Sequence, residues 1–207
     1  MATTTETAGY SETAWSYGPR TATLFVAFVA VALVGWLVSV FLSGIHFWAI
    51  PQIPAGAELS GSLQVITSEW AYVGPVPLAT LGAGYYLTTI VLAAWWFETR
   101  HPFVVKVLTP VTATGVVASA YFVYLQLGVI GAICPFCMAS AAASTVLFGL
   151  EVAILRQSDL PPTRQLGSGV RELVAQTSLG RLLFVAALGG LTLAAVYGVT
   201  LAPVPGS

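Results

Sequence analysis

Long runs without a charged side chain constrain this chain more than any other feature. Residues 22–42 (ATLFVAFVAVALVGWLVSVFL) are unbroken by charge and match the roughly 20 residues a helix needs to cross a bilayer. Similar stretches recur at 77–97, 107–129, 135–155 and 182–202, with Glu151 the one charge inside them. Only 7% of the 207 residues are charged, where a soluble domain carries roughly 25%. Most soluble folds are thereby excluded. A formal net charge of −1 offers no basic face to nucleic acid. The two cysteines, Cys134 and Cys137, are too few for a disulfide scaffold or a four-cysteine zinc site. The expected class is an all-α, multi-pass membrane protein with five spans.

The basic residues orient these spans. Arg20 precedes the first, Arg100 and Lys106 separate the second from the third, and Arg156, Arg164, Arg171 and Arg181 separate the fourth from the fifth. With five spans all seven fall on one side, which the positive-inside rule assigns to the cytosol. The opposite side carries Glu58 and Glu69. Residues 1–21 then read as a cytosolic tail, 156–181 as a cytosolic linker, and 182–207 as a fifth span with a short extracytosolic tail. The N-terminus is then expected in the cytosol. The first span is too long for a signal-peptide core and lacks a basic start.

Residues 43–76 form an outer connection that is long for a turn and rich in aromatics, among them His46, Phe47, Trp48 and Trp70. The segment 63–70 has the pattern of a short amphipathic helix. Two readings stand side by side: an interfacial loop without chemistry, or a cap over a pocket in the bundle.

The chemistry-bearing motif is Cys134-Pro135-Phe136-Cys137. Pro135 suits the first position of a helix, which places Cys134 at the cap and Cys137 one turn in. Unpaired N–H groups and the helix dipole stabilise a thiolate there. A cysteine pair at this spacing, on the side where disulfides persist, can switch between dithiol and disulfide. Packing cysteines are the bland alternative. A metal centre is not expected, since His46 and His101 fall on opposite sides and no further ligands accompany the pair. Met138 in place of histidine excludes a c-type haem motif. In a membrane the natural two-electron acceptor is a lipid-soluble quinone. Phe136, Tyr85, Tyr86, Gly82 and Gly84 are available to line its pocket, although helix packing or an interface anchor is the stronger explanation for each tyrosine taken alone.

With these residues in view, the chain resembles the vitamin K epoxide reductase family, in particular its prokaryotic homologues. The resemblance rests on Ser62-Leu63-Gln64-Val65-Ile66-Thr67-Ser68-Glu69-Trp70, on Val76-Pro77-Leu78-Ala79-Thr80-Leu81-Gly82, and on the Cys134–Cys137 motif, spanning about residues 22–155. It implies a four-helix transmembrane bundle around a quinone, capped by the outer loop, with a fifth span that in prokaryotic members leads to a thioredoxin-like domain. It further implies a thiol:quinone oxidoreductase, with Cys137 facing the quinone and Cys134 exchanging with a partner dithiol. The quinone (menaquinone, ubiquinone or vitamin K) is the substrate, and the other partner is a thioredoxin-like extracytosolic redox protein. The reaction supports disulfide formation through a redox-active disulfide; the reverse direction, reduction of a vitamin K quinone or epoxide, uses the same residues. Thr67, Ser68, Trp70 and Leu78 become pocket or cap candidates beside Phe136 and Tyr85.

The family's two outer-loop shuttle cysteines are absent. Ser62 occupies the second of those positions, and the first would fall near Gly56 or Ala57. Either shuttle cysteines were replaced, or the partner attacks Cys134 directly. Likewise, either the redox partner is a separate protein or a thioredoxin-like domain has been removed. The loss favours one rival reading, a non-catalytic quinone-binding or assembly protein of the same fold. A transporter subunit is a weaker rival, because Lys106 and Glu151, near predicted span ends, are the only charges associated with these helices.

Overall fold

The computed structural model describes residues 16–54 and 56–161. Most of the N-terminal tail, most of the linker and the expected fifth span at 182–202 lie outside the described residues. Five α-helices and one small hairpin follow in order: α1 Thr21–Gly44, α2 Ser62–Ile66, β1 Tyr72–Val73, β2 Val76–Pro77, α3 Leu78–Thr99, α4 Pro102–Tyr124 and α5 Pro135–Arg156. A π-helical segment, Ile45–Ala49, and a 3-10 turn, Ile50–Gln52, continue α1; a second π-helical segment, Leu125–Ile130, continues α4. Among the described residues, four helices are long and apolar enough to cross a membrane: Thr21–Gln52, Leu78–Thr99, Pro102–Ile130 and Pro135–Arg156. The chain is a multi-pass membrane protein.

The first helix runs ten residues beyond the boundary expected at Leu42, so His46, Phe47 and Trp48 sit on a helix rather than in a loop. The polar groups that seem to end the span are satisfied by the preceding turn. The Ser43 hydroxyl donates to the Ser39 carbonyl at 2.8 Å, and a His46 ring nitrogen lies 3.0 Å from the Leu42 carbonyl. The third span likewise starts at Pro102, five residues before the expected Val107. Pro102 fills the first turn, and the His101 side chain accepts from the Phe103 N–H at 3.2 Å. Gly131, at φ +68°, ends the π-helical continuation in the left-handed region that favours glycine.

The four long helices form a ring. α1 packs on α3 and α5, and α4 packs on α3 and α5. Lipid tails are as apolar as the helices, so helix association in a membrane rests on close packing and interhelical hydrogen bonds. Both are visible. The Tyr86 ring lies against Gly35 of α1, where a Cβ would stand 2.3 Å from it. The Tyr86 hydroxyl donates to the Ser140 carbonyl of α5 at 2.6 Å and lies 3.0 Å from the Ser144 hydroxyl. One side chain of α3 thus joins three helices. At the opposite end from the cap, Phe25 stacks on Trp96 with centroids 3.9 Å apart, and the Arg100 guanidinium covers the Trp96 ring at 4.1 Å. The same end carries Arg20 before α1 and Arg156 in the last turn of α5. The strand-like pair Ser16 and Asp159 ties the chain entering α1 to the chain leaving α5.

Candidate redox site

Pro135 opens α5 without an N–H to satisfy, so the helix start coincides with the cysteine motif. Cys134 is the N-cap, and its sulfur accepts from the Cys137 N–H at 3.3 Å. The Cys137 thiol donates to the same sulfur at 2.8 Å. Both cysteines are free. The Cys137 thiol is the largest influence that lowers the Cys134 thiol to about 6; the Cys137 and Phe136 N–H groups and the Ser62 hydroxyl act in the same sense against the opposing effect of burial. The Cys134 N–H donates to the Gln126 side-chain oxygen at 2.8 Å. Gln126 belongs to the continuation of α4 and is itself buried.

A cavity of about 350 Å³ opens between α1, α3, α4, α5 and the cap, within the range of small-molecule sites. Cys137 lines it, whereas Cys134 does not and has no exposed surface. Leu42, Val65 and Ile66 cover Cys134 in one apolar cluster. The cap is fixed by His46, whose second ring nitrogen lies 3.0 Å from the Ile66 carbonyl.

The cavity gathers Ser68, Trp70, Leu78 and Tyr85 from the expected pocket residues, together with Gly82 and Tyr86. Three expected residues stand outside its wall, Gly84, Phe136 and Thr67. Phe136 follows Pro135 in the first turn and turns its ring onto Phe41, with centroids 5.1 Å apart. The Thr67 hydroxyl folds back onto the Leu63 carbonyl at 2.7 Å. Ser62 opens α2, and its hydroxyl is among the groups that favour the Cys134 thiolate. Sequence reasoning missed Gln126, His46, Ser140 and Ser144. The signal available for Gln126 was a lone amide in an apolar helix, where a polar group needs a partner.

Among the described residues, no cluster of three or more histidine, cysteine or acidic side chains could hold a metal ion. A comparison with curated proteins returns no match. The family model described as vitamin K epoxide reductase family matches residues 26–152, more than half of the chain, and covers α1, the cap, α3, α4 and most of α5. The chain therefore belongs to the vitamin K epoxide reductase family.

Proposed function

We propose that the chain is a membrane thiol:quinone oxidoreductase in which Cys134 and Cys137 pass two electrons to a quinone held in the bundle cavity. Members of its family are generally oxidoreductases of this type. The carrying observation is the placement of Cys137: its residue lines the cavity while its thiol contacts the Cys134 sulfur at 2.8 Å. In the reaction the two sulfurs lose two electrons and join as a disulfide, and the quinone takes up two electrons and two protons. A dithiol partner then regenerates the pair by attack at Cys134. On this reading the cysteine end of the bundle faces the extracytosolic side and the arginine-bearing end faces the cytosol. The partner is a thioredoxin-like redox protein, and the net outcome is disulfide formation outside the membrane. Ser68, Trp70, Leu78 and Tyr85 are the wall against which the quinone ring rests.

A specific observation keeps a second reading in play. Cys134 is fully buried, covered by Val65 and Ile66 of α2, and the residue that opens α2 is Ser62, which cannot relay electrons. A quinone-binding protein that has lost the relay fits that arrangement. The experiment is a single turnover. Purified protein is reduced with a small dithiol, freed of it, and mixed with decylubiquinone in detergent. One quinol per protein, absent from Cys137→Ser, supports the oxidoreductase. Quinone binding without quinol formation in folded protein supports the non-catalytic binder.

A further inference from the structure

The hydrogen bonds of the cysteine pair leave a proton to be found. The Cys134 sulfur accepts both the Cys137 thiol and the Cys137 N–H, an arrangement suited to a thiolate beside a thiol. Oxidising such a pair to a disulfide yields two electrons and one proton. A quinol needs two electrons and two protons, so one proton must enter the cavity from another group.

Glu151 is the one carboxyl among the described residues that is completely buried. It sits on α5 fourteen residues after Cys137, about 21 Å along the axis at the rise of an α-helix. Its two oxygens accept from the Thr109 and Thr112 hydroxyls of α4. Side chains on a helix lean towards its N-terminus, so Glu151 leans along α5 towards the cavity. Gly115, one turn beyond Thr112 on α4, belongs to the cavity wall, and a Cβ there would stand 2.2 Å from the Tyr85 hydroxyl oxygen. The Tyr85 hydroxyl is buried and completes no hydrogen bond. The Glu151–Thr112 pair therefore lies one turn of α4 from the point where the Tyr85 hydroxyl meets the cavity wall. Ionisable groups within a membrane bundle are costly to keep and mark proton or substrate pathways more often than packing.

We infer that Glu151 supplies the second proton of quinone reduction through Thr112 and Tyr85. This rests on the thiol:quinone reading above. Written in full, the Cys134 thiolate, the Cys137 thiol, the quinone and the Glu151 carboxylic acid become the Cys134–Cys137 disulfide, the quinol and the Glu151 carboxylate. Tyr85 gives its hydroxyl proton to a quinone oxygen and takes one from Thr112, whose hydroxyl turns from Glu151 towards Tyr85 as the Glu151 carboxylic acid protonates the Thr112 oxygen. Water reprotonates Glu151 after turnover.

The test uses the full chain, reduced and freed of reductant, mixed with decylubiquinone by stopped flow in weak buffer with a pH dye at mildly alkaline pH. The wild type is expected to take up one proton for each quinol formed. Glu151→Gln keeps the side chain's shape and one acceptor oxygen for the threonines but has no carboxyl proton to release. It is expected to form quinol at least roughly tenfold more slowly at unchanged quinone affinity, with Glu151→Asp restoring most of the rate. Thr112→Val leaves the Thr109 contact in place and is expected to slow the same step, so the inference stays testable if Glu151→Gln folds poorly. Glu151→Gln and Thr112→Val at wild-type rate, or quinol formation without proton uptake, would overturn the inference and leave the oxidoreductase intact. A wild type that makes no quinol overturns both.

Discussion

The Cys137 thiol donates to the Cys134 sulfur across 2.8 Å, so the two cysteines share one proton in an unequal way. Cys134 is lowered to about 6, chiefly by that donated hydrogen bond. Thiolate absorbance in the ultraviolet should therefore rise as pH increases through about 6 and be absent from Cys134→Ser. Cys137→Ala removes the main cause and should move the transition up towards the ordinary thiol range. The sign for stability follows. A depressed folded-state value adds stability that is fully present above the ordinary thiol value of 9.0 and is lost as pH falls through about 6. Thermal unfolding in detergent should show that loss in the wild type and much less of it in Cys134→Ser.

Ser62 and Cys134 make a second prediction. Ser62 opens α2 on the side of Cys134 and its hydroxyl favours the Cys134 thiolate, so a thiol at position 62 is the first one to test as a bridge to it. In a Cys137→Ala background, Ser62→Cys should close an intramolecular disulfide to Cys134 almost completely under mild oxidation. Peptide mass mapping reads the bond directly. Failure to form it in folded protein would place position 62 outside any relay.

His46 latches the cap. Its ring nitrogens lie 3.0 Å from the Leu42 carbonyl on its own helix and 3.0 Å from the Ile66 carbonyl on α2. Its ring also meets Tyr72 edge-on, with centroids 5.4 Å apart. His46→Ala should loosen α2 by about 1–3 kcal/mol, since a buried carbonyl is left without its partner. Amide exchange in 62–66 should then accelerate. Cys134, covered by Val65 and Ile66 in the native protein, should gain maleimide reactivity.

How far the site could be read from sequence follows from where its hydrogen bonds go. The starts of α3 and α5 were legible because a proline sits at each boundary, joined at α5 by the cysteine motif, and the bundle of apolar helices was legible from the absence of charge. The end of the first span was not. Ser43 and His46 look like terminators in one dimension, yet their own helix satisfies them one turn back. Ser140 and Ser144 look like small packing residues and become visible as hydrogen-bond partners only once Tyr86 arrives from another helix. Glu151 was readable as a charge near a predicted end, but its burial depends on threonines 39 and 42 residues earlier in the chain. The periodicity of a membrane helix reports its length well and says little about which polar residues meet across the bundle.

Gly115 sets the position of Tyr85 and offers a sharp test of the cavity wall. A Cβ at Gly115 would stand 2.2 Å from the Tyr85 hydroxyl oxygen and 2.4 Å from the ring carbon that bears it. Gly115→Ala must therefore displace the ring, and overpacking of this kind costs about 1–3 kcal/mol. Gly149 on α5 is the matched control, because nothing lies within 4 Å of its Cβ position. Gly149→Ala should be neutral or slightly stabilising, as alanine is the better helix former by about 1 kcal/mol at most. Thermal unfolding in detergent should separate the two substitutions in opposite directions. If the displaced ring leaves the wall of the cavity, KM for decylubiquinone should also rise in Gly115→Ala by roughly tenfold, the loss of one hydrogen bond to a buried ligand, while Gly149→Ala stays at the wild-type value. A Gly115→Ala protein as stable as the wild type and with unchanged KM would mean that Tyr85 does not sit in the Gly115 notch when quinone is bound.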